Sequence, residues 1–253
     1  MANRVVPFIL EGSTDAESLA DLLARAVRAD LGLRELCVGG DPTIYQIHPR
    51  GYRRPNPADP FSAVRAAIMD DMERLGEYRP SDIAAVIQLT DLDGAMIGDD
   101  RVVRGARLEY RTDSIATPDP AGIRRRNAVK TANIRRPGRP DATVTIRGRR
   151  IPYLLFYCSR NLEHALYGET AALTPREKTR RSLEFQRRHA DDPQGLPAIL
   201  GSDAVLHGMT GYDESWRWPF EGTHSLERGS NIALMPRLLA EAVPKGHPGR
   251  RRG

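Results

Sequence analysis

The strongest constraint on the fold is an alternation of short apolar segments with helical segments. Residues 5–10 and 83–90 are apolar runs of strand length. Between them, residues 43–48 alternate as a strand does, and residues 61–77 carry apolar side chains at helical spacing. Because strands that alternate with helices form parallel sheets, the sequence predicts an α/β protein with a mostly parallel sheet flanked by helices.

Acidic residues follow the ends of three predicted strands: Glu11, then Asp91 with Asp93, then Glu163. The carboxyl ends of parallel strands form the ligand-binding edge of such sheets. Several carboxylates in one place raise one another's pKa, and a divalent cation removes that repulsion. Mg²⁺ usually takes one or two carboxylates together with waters and phosphate. The acids are therefore predicted to meet at one edge and bind Mg²⁺, although each alone is equally consistent with a solvated turn or a helix cap.

The sequence around these acids resembles the Toprim family. The likeness lies in residues 8–12, Phe-Ile-Leu-Glu-Gly, with Asp15 on the following helix, and in residues 86–94, Val-Ile-Gln-Leu-Thr-Asp-Leu-Asp-Gly. That family places a glutamate after its first strand and Asp-X-Asp after its third, and it includes modules of topoisomerases, bacterial primases, small ribonucleases and OLD-type nucleases. Residues 160–164, Arg-Asn-Leu-Glu-His, are similar to a later stretch of OLD-type and related defence proteins, with His164 where asparagine is usual.

The resemblance implies a Toprim-like, Rossmann-like core that hydrolyses phosphodiester bonds. It implies that Glu11 acts as a general acid or base or shares a metal ion, that Asp91 and Asp93 hold Mg²⁺ or Mn²⁺, and that Glu163 completes a second metal site. Such a metal polarises a phosphoryl oxygen and lowers the pKa of bound water. The implied function is a nuclease that acts on DNA or RNA, with a role in phage defence that rests on family analogy.

The domain prediction follows from the extent of this resemblance, which covers about residues 5–100 and 150–168. The chain is predicted to consist of a catalytic core over 1–170 with a basic insertion at about 101–150, a mainly helical extension over 171–243, and a disordered basic tail over 244–253.

The predicted insertion contains a basic segment, residues 124–139, that has no Asp or Glu. Arginine binds phosphate oxygens bidentately, and phosphate contacts supply much of the affinity for nucleic acid. This segment, residues 124–139, is predicted to form a loop or arm that is either solvated or bound to nucleic acid. The predicted nucleic-acid-binding residues are Arg124, Arg125, Arg126, Lys130, Arg135 and Arg136.

Other features limit the location and the alternatives. No segment approaches the run of about 18 apolar residues that spans a membrane, so we expect a cytoplasmic protein without a membrane partner. Motifs of P-loop, dinucleotide-binding, zincin and α/β-hydrolase proteins are absent. The two cysteines, Cys37 and Cys158, are predicted to be buried thiols.

Two other functions stay open beside the nuclease. One is a non-catalytic Toprim-like module that binds nucleic acid or a partner protein as a sensor or regulatory subunit. The other is a nucleotidyl or phosphoryl transferase that uses the same metal site. A homo-oligomer is compatible with each of them.

Overall fold

A computed structural model describes residues 4–12, 31–44, 46–48, 51–53, 59–170, 173–189, 191–192 and 194–244. Its strands are β1 (Arg4–Leu10), β2 (Leu31–Cys37), β3 (Gln46–His48), β4 (Gly51–Arg53), β5 (Val86–Asp91), β6 (Val102–Arg104), β7 (Glu109–Tyr110), β8 (Ile115–Thr117), β9 (Thr143–Ile146) and β10 (Arg149–Cys158). Its α-helices are α1 (Ser62–Leu75), α2 (Pro120–Ile134), α3 (Leu162–Tyr167), α4 (Pro175–His189), α5 (Gly195–Leu200), α6 (Asp203–Leu206), α7 (Tyr212–Arg217) and α8 (Met235–Ala242).

The main sheet has the strand order β2–β1–β5–β10–β9. Its first four strands are parallel, and β9 pairs antiparallel with β10. The chain passes from β1 to β2 on one side, then crosses back to place β5 on the other side of β1. Open parallel sheets bind ligands at the carboxyl ends of strands where the strand order reverses in this way. The α/β class and the mostly parallel sheet are thus confirmed. The position at which such a sheet would bind a ligand is the carboxyl ends of β1 and β5.

The centre of the sheet is buried on both faces. Phe8, Ile9 and Leu10 follow one another in β1, and each is at most 1% exposed. Successive strand residues point to opposite faces, so consecutive buried side chains require cover on both sides. Residues 154–157 of β10 repeat the pattern. Each such side chain contributes about 1.5–3 kcal/mol through burial, which fixes the strands that carry the predicted acids.

Several predicted elements lie where the sequence places them. Strand β1, helix α1, strand β5 and strands β9 and β10 agree with the predicted segments. The prediction of one strand over 43–48 is wrong for residues 43–44, which form a turn, whereas Gln46–His48 is strand. The helix predicted after Glu11 and the tail from residue 245 onward lie outside the described residues.

Strand β2 is an element that the sequence pattern does not reveal. Its residues, Leu-Gly-Leu-Arg-Glu-Leu-Cys, include a glycine and two charges. Within the described sheet β2 pairs only with β1, so it is an edge strand, and its side chains range from buried to exposed. Cys37 at its end is exposed, so the prediction of two buried thiols holds for Cys158 and is wrong for Cys37.

Helix α2 includes residues 124–134, so the prediction of a loop or arm over 124–139 is wrong for this part. The Asp119 carboxylate caps the helix by accepting a hydrogen bond from the Gly122 amide at 2.9 Å, and Pro120 lies in its first turn. Its buried side chains, Asn127, Lys130, Asn133 and Ile134, recur at helical spacing. The basic segment is therefore largely an ordered helix with one face packed against the protein.

The C-terminal part closes the open edge of β10, since β9 pairs only with the first residues of that strand. The Tyr212 hydroxyl donates to the Leu155 carbonyl at 2.7 Å and accepts from the Leu155 amide at 3.1 Å. The Asn231 side chain accepts from the Tyr157 amide, and Ser230 donates to the Tyr157 carbonyl. These side chains satisfy the backbone groups that a further strand would otherwise pair.

None of the helices in the described ranges is both long and apolar enough to cross a membrane.

Candidate active site

Glu11 and the end of β5 are in direct contact. Glu11 follows β1, which runs parallel to its neighbour β5. The Glu11 Oε1 atom accepts hydrogen bonds from the Thr90 hydroxyl at 2.6 Å and from the Asp91 amide at 3.2 Å. Burial raises the pKa of Glu11 well above its usual value; the Asp41 charge acts in the same direction, and Lys130 and Thr90 act against it. A carboxyl group that keeps its proton to higher pH is suited to general acid–base chemistry.

The turn after β5 is held by the loop after β10. The amides of Leu92, Asp93 and Gly94 donate to the carbonyls of residues 158, 160 and 159 at 2.8, 3.0 and 3.0 Å. Asp93 has φ 52° and Gly94 has φ 64°, which are left-handed values that aspartate tolerates and glycine favours. A Cβ atom at position 94 would lie 2.4 Å from Leu226 Cδ2. Glycine is therefore required there, and the turn fixes the place of the Asp93 carboxylate.

A lysine from helix α2 lies among the acids. Lys130 is 0% exposed, and its Nζ atom is 2.8 Å from Asp41 Oδ2 and 2.8 Å from Asp93 Oδ2. It also donates to the Asp91 carbonyl oxygen. Burial disfavours the ammonium, but the Asp93, Asp41 and Glu11 charges outweigh it and raise the pKa of Lys130 above its usual value. Lys130 is therefore a permanent cation that binds the acids together.

Sequence reasoning missed Asp41 and misjudged the surroundings of Lys130. Asp41 also follows a strand end, but that strand is β2, which the apolar pattern does not reveal. The sequence predicts phosphate contacts for Lys130, whereas the structure buries this side chain completely. The available signal was the four-residue spacing of Lys130 from Ile134, which are both buried on one face of α2.

The acids at this edge are the predicted magnesium ligands. In the described part of the chain, no group of three or more His, Cys, Asp or Glu side chains is arranged to hold a metal ion. The Lys130 ammonium forms ion pairs with both Asp41 and Asp93. Mg²⁺ usually takes only one or two protein carboxylates, since water and phosphate complete its coordination. Magnesium binding by Asp91 and Asp93, with Glu11 beside them, therefore stays a prediction.

Glu163 lies apart from this set of contacts. It is in the first turn of α3, which is capped by the Asn161 side chain accepting from the His164 amide at 2.9 Å. Its Oε1 atom forms an ion pair with Lys178 Nζ of α4 at 2.6 Å. Glu163 shares none of the described hydrogen bonds and ion pairs that join Glu11, Asp91 and Asp93, so its assignment as a second metal ligand stays a prediction without a supporting contact.

The predicted nucleic-acid-binding residues fall into two groups. Arg124 donates to the carbonyls of Asp99 and Val102 at 3.0 and 2.8 Å, and Arg126 donates to the carbonyl of Asp93 at 2.9 Å. Together with Lys130 they form the group that is bonded to the protein itself. The exposed group, whose charges face solvent, consists of Arg125, Arg135 and Arg136.

Two of these exposed arginines lie against aromatic rings. The Arg135 guanidinium carbon is 5.9 Å from the centroid of Phe220, and that of Arg136 is 5.1 Å from the centroid of Phe61. Such cation–π contacts hold the guanidinium groups near the surface while leaving them charged. The end of α2 thus presents cations to solvent.

His164 is affected by two nearby cations. Burial, together with the charges of Arg160 and Arg228, lowers the pKa of His164 to about 4. The His164 imidazole is therefore neutral at pH 7.

No family model matches this sequence, and no curated protein and no solved structure matches it. The function is therefore argued from the residues of the chain itself.

Proposed function

We propose that this chain is a Mg²⁺-dependent phosphodiesterase of the Toprim type that cleaves nucleic acid. The observation that carries the proposal is the contact between the Glu11 carboxylate and the end of β5, beside Asp91 and Asp93. These acids follow neighbouring parallel strands at the point where the strand order reverses, which is where such sheets bind their ligands.

The side chains have distinct roles in this proposal. Asp91 and Asp93 would hold the metal ion, Mg²⁺ or Mn²⁺. When bound, the metal polarises a phosphoryl oxygen and lowers the pKa of a water molecule. Glu11, whose pKa is raised by burial, exchanges a proton with the attacking water or the leaving oxygen.

Lys130 acts as a positioning residue. Lys130 donates hydrogen bonds to the Asp91 carbonyl and to the Asp93 carboxylate, and it forms an ion pair with Asp41. Because these partners all belong to the chain itself, Lys130 fixes the turn that carries the acids instead of contacting the substrate.

The substrate class is supported by the charge of α2. Arg125 on the helix, and Arg135 and Arg136 directly after its last residue, are exposed cations. Because the same helix supplies Lys130 to the acids, a nucleic-acid backbone bound along α2 would pass close to Asp93. A role in phage defence rests on the family resemblance alone.

One observation favours a second function, a non-catalytic module that binds nucleic acid or a partner protein. The Lys130 ammonium is already paired with Asp41 and Asp93. The acidic cluster is thus partly neutralised by the chain itself, and it can be stable when no metal is bound.

The deciding experiment is a cleavage assay with labelled single- and double-stranded DNA and RNA, in Mg²⁺, Mn²⁺ or EDTA. The proposal expects cleavage that requires metal and falls at least about a hundredfold in Glu11→Gln and Asp91→Asn. Glu73→Gln is the matched control, because Glu73 is exposed and pairs with Arg147 of the β9–β10 turn, remote from the site.

Each outcome separates the two functions. Cleavage that survives both site variants would show that these acids are not the active site. Nucleic-acid binding without cleavage in any metal would favour the binding module.

A further inference from the structure

Arg160 is a buried cation without a carboxylate partner among the described residues. It is 7% exposed, and one of its terminal nitrogens donates to the Thr170 carbonyl at 2.8 Å. Its Nε atom is buried and has no acceptor. Burial lowers the pKa of the Arg160 guanidinium below its usual value. A buried charge with unfilled hydrogen bonds is costly, so its retention points to an anion that binds there.

Arg160 and a second cation, Arg126, both contact Tyr110. The Arg160 guanidinium carbon is 5.2 Å from the centroid of the Tyr110 ring, and Arg126 donates to the Tyr110 hydroxyl at 3.0 Å. Arg126 also donates to the Asp93 carbonyl at 2.9 Å, and the Asp93 amide donates to the Arg160 carbonyl at 3.0 Å. The Arg126 guanidinium and the Arg160 main chain are therefore both bonded to the turn that carries Asp93.

A further buried donor lacks a partner at this place. The Asn127 Oδ1 atom accepts from Arg126, but its Nδ2 atom is buried without an acceptor. Asn127 is 3% exposed. Buried polar groups are nearly always paired, and an orphaned donor beside two cations requires an explanation. An anionic ligand in contact with this group of residues supplies one.

The cations at the carboxyl edge differ in their partners. The Lys130 ammonium forms ion pairs with Asp41 and Asp93. Arg126 and Arg160 are bonded only to neutral oxygens in the described part of the chain. Arginine's planar fork binds phosphate oxygens through parallel hydrogen bonds.

We infer that Arg160 and Arg126, placed around Tyr110, form a subsite for a backbone phosphate of a nucleic-acid strand beside Asp93. The inference rests on the proposed function for its choice of nucleic acid as the anion. To the proposed function it adds a binding site for one backbone phosphate, beside the acids that would act on the adjacent phosphodiester bond.

The test measures binding without cleavage. Fluorescence anisotropy with a labelled single-stranded DNA 12-mer, and with RNA of the same sequence, is recorded in EDTA over a series of salt concentrations. Arg160→Met keeps the side-chain length and removes the charge. Arg147→Met is the matched control, because Arg147 is exposed and lies in the β9–β10 turn, away from the carboxyl ends of the parallel strands.

We expect Arg160→Met to raise Kd by about tenfold or more, which is the loss of one charged hydrogen-bonding contact. The slope of log K against log salt should fall by about 0.7, the value of one phosphate contact on a single strand. Arg147→Met should bind as the wild type does. Circular dichroism checks the fold of each variant.

Unchanged affinity and unchanged salt slope in a folded Arg160→Met would overturn the inference, and so would a wild type that binds neither strand. If Arg160→Met does not fold, Arg160→Lys supplies the test, because lysine keeps the charge but lacks the planar guanidinium group. Binding by Arg160→Lys equal to that of the wild type would then overturn the inference. If no nucleic acid is cleaved but binding still weakens in Arg160→Met, the proposed nuclease activity is rejected and the proposed phosphate subsite is supported.

Discussion

Replacing Lys130 by methionine tests whether the acidic cluster depends on its buried ammonium. Methionine keeps the length of the side chain and removes the charge. The Nζ atom lies 2.8 Å from carboxylate oxygens of both Asp41 and Asp93. At an effective dielectric constant of 20, each pair has a gross attraction of about 6 kcal/mol. Desolvation, at several kcal/mol per ion, offsets much of this attraction.

The net cost of the change is smaller than the gross attraction. Removal of one partner from a buried ion pair typically costs about 3–5 kcal/mol, because the remaining charges stay uncompensated. The side chain of Asp93 is 33% exposed and that of Asp41 is 12% exposed, so water screens part of the released charge. We therefore expect Lys130→Met to lower the free energy of unfolding by about 3 kcal/mol, at the low end of that range.

Urea denaturation followed by circular dichroism at pH 7.5 in EDTA measures this change. Lys178→Met is the control, because Lys178 pairs with Glu163 but its side chain is 36% exposed; it should cost less than about 1 kcal/mol. Added Mg²⁺ should stabilise Lys130→Met more than the wild type, since the freed carboxylates gain a cation. A loss below about 1 kcal/mol in Lys130→Met would refute the view that its ammonium holds the acids together.

Three further variants test other parts of the structure by urea or thermal denaturation. Tyr212→Phe leaves the Leu155 amide without its acceptor and should cost about 1–3 kcal/mol; a neutral result would mean that water replaces the hydroxyl. Burial raises the pKa of Glu11, so the folded state retains the Glu11 proton above about pH 4.3, where the unfolded state loses it. The free energy of unfolding of the wild type therefore falls as the pH rises from there, and Glu11→Gln, measured in EDTA, should flatten that fall. Parallel stability curves for the two proteins would contradict this. Burial opposes ionisation of Asp71, but hydrogen bonds from groups including Arg34 lower its pKa. Asp71→Asn should therefore lower the free energy of unfolding by about 1.5–3 kcal/mol at pH 7 and by little once the pH falls below the lowered pKa. The same loss of stability at both pH values would contradict this dependence on the Asp71 charge.

The predictable part of the fold is the part that is buried on both faces. Strands β1, β5 and β10 are apolar runs because each lies between two neighbours and under cover on both sides. Strand β2 is at an edge and pairs with β1 alone, so it carries charges and a glycine. Edge strands lack a strong apolar signal, and register against a neighbour is a non-local property.

Helix α2 was missed for a different reason. Its start carries the usual signals, an Asp119 cap followed by Pro120. The arginines, glycines and prolines of the segment are typical of a loop and conceal this signal. Composition alone also does not distinguish the cations of the segment, although the helix buries Lys130 completely and exposes Arg125. Only the placement of α2 against the sheet decides which cation meets an acid.

The candidate site follows the same division between local and non-local information. Glu11, Asp91 and Asp93 were identified because each directly follows a strongly apolar strand. Asp41 follows β2, and because the apolar pattern does not reveal that strand, it does not point to Asp41 either. Arg160 was noticed only as part of a motif, and its lack of a carboxylate partner is a property of the folded chain.

The balance of charge around Lys130 favours binding of a further cation. The three acids whose charges act on Lys130 are Glu11, Asp41 and Asp93; when ionised they contribute three negative charges against one positive charge, which leaves minus two before the Asp91 carboxylate is counted. Asp41 and Asp93 both act to raise the pKa of Glu11, so in the metal-free protein Glu11 keeps its proton to a higher pH than an isolated glutamate does. A divalent cation beside Asp93 would remove the same excess and favour ionised Glu11, because metal binding and protonation compete for the same negative charge. Proton release on addition of Mg²⁺ is thus the expected companion of metal binding, whether or not the bound protein cleaves its ligand.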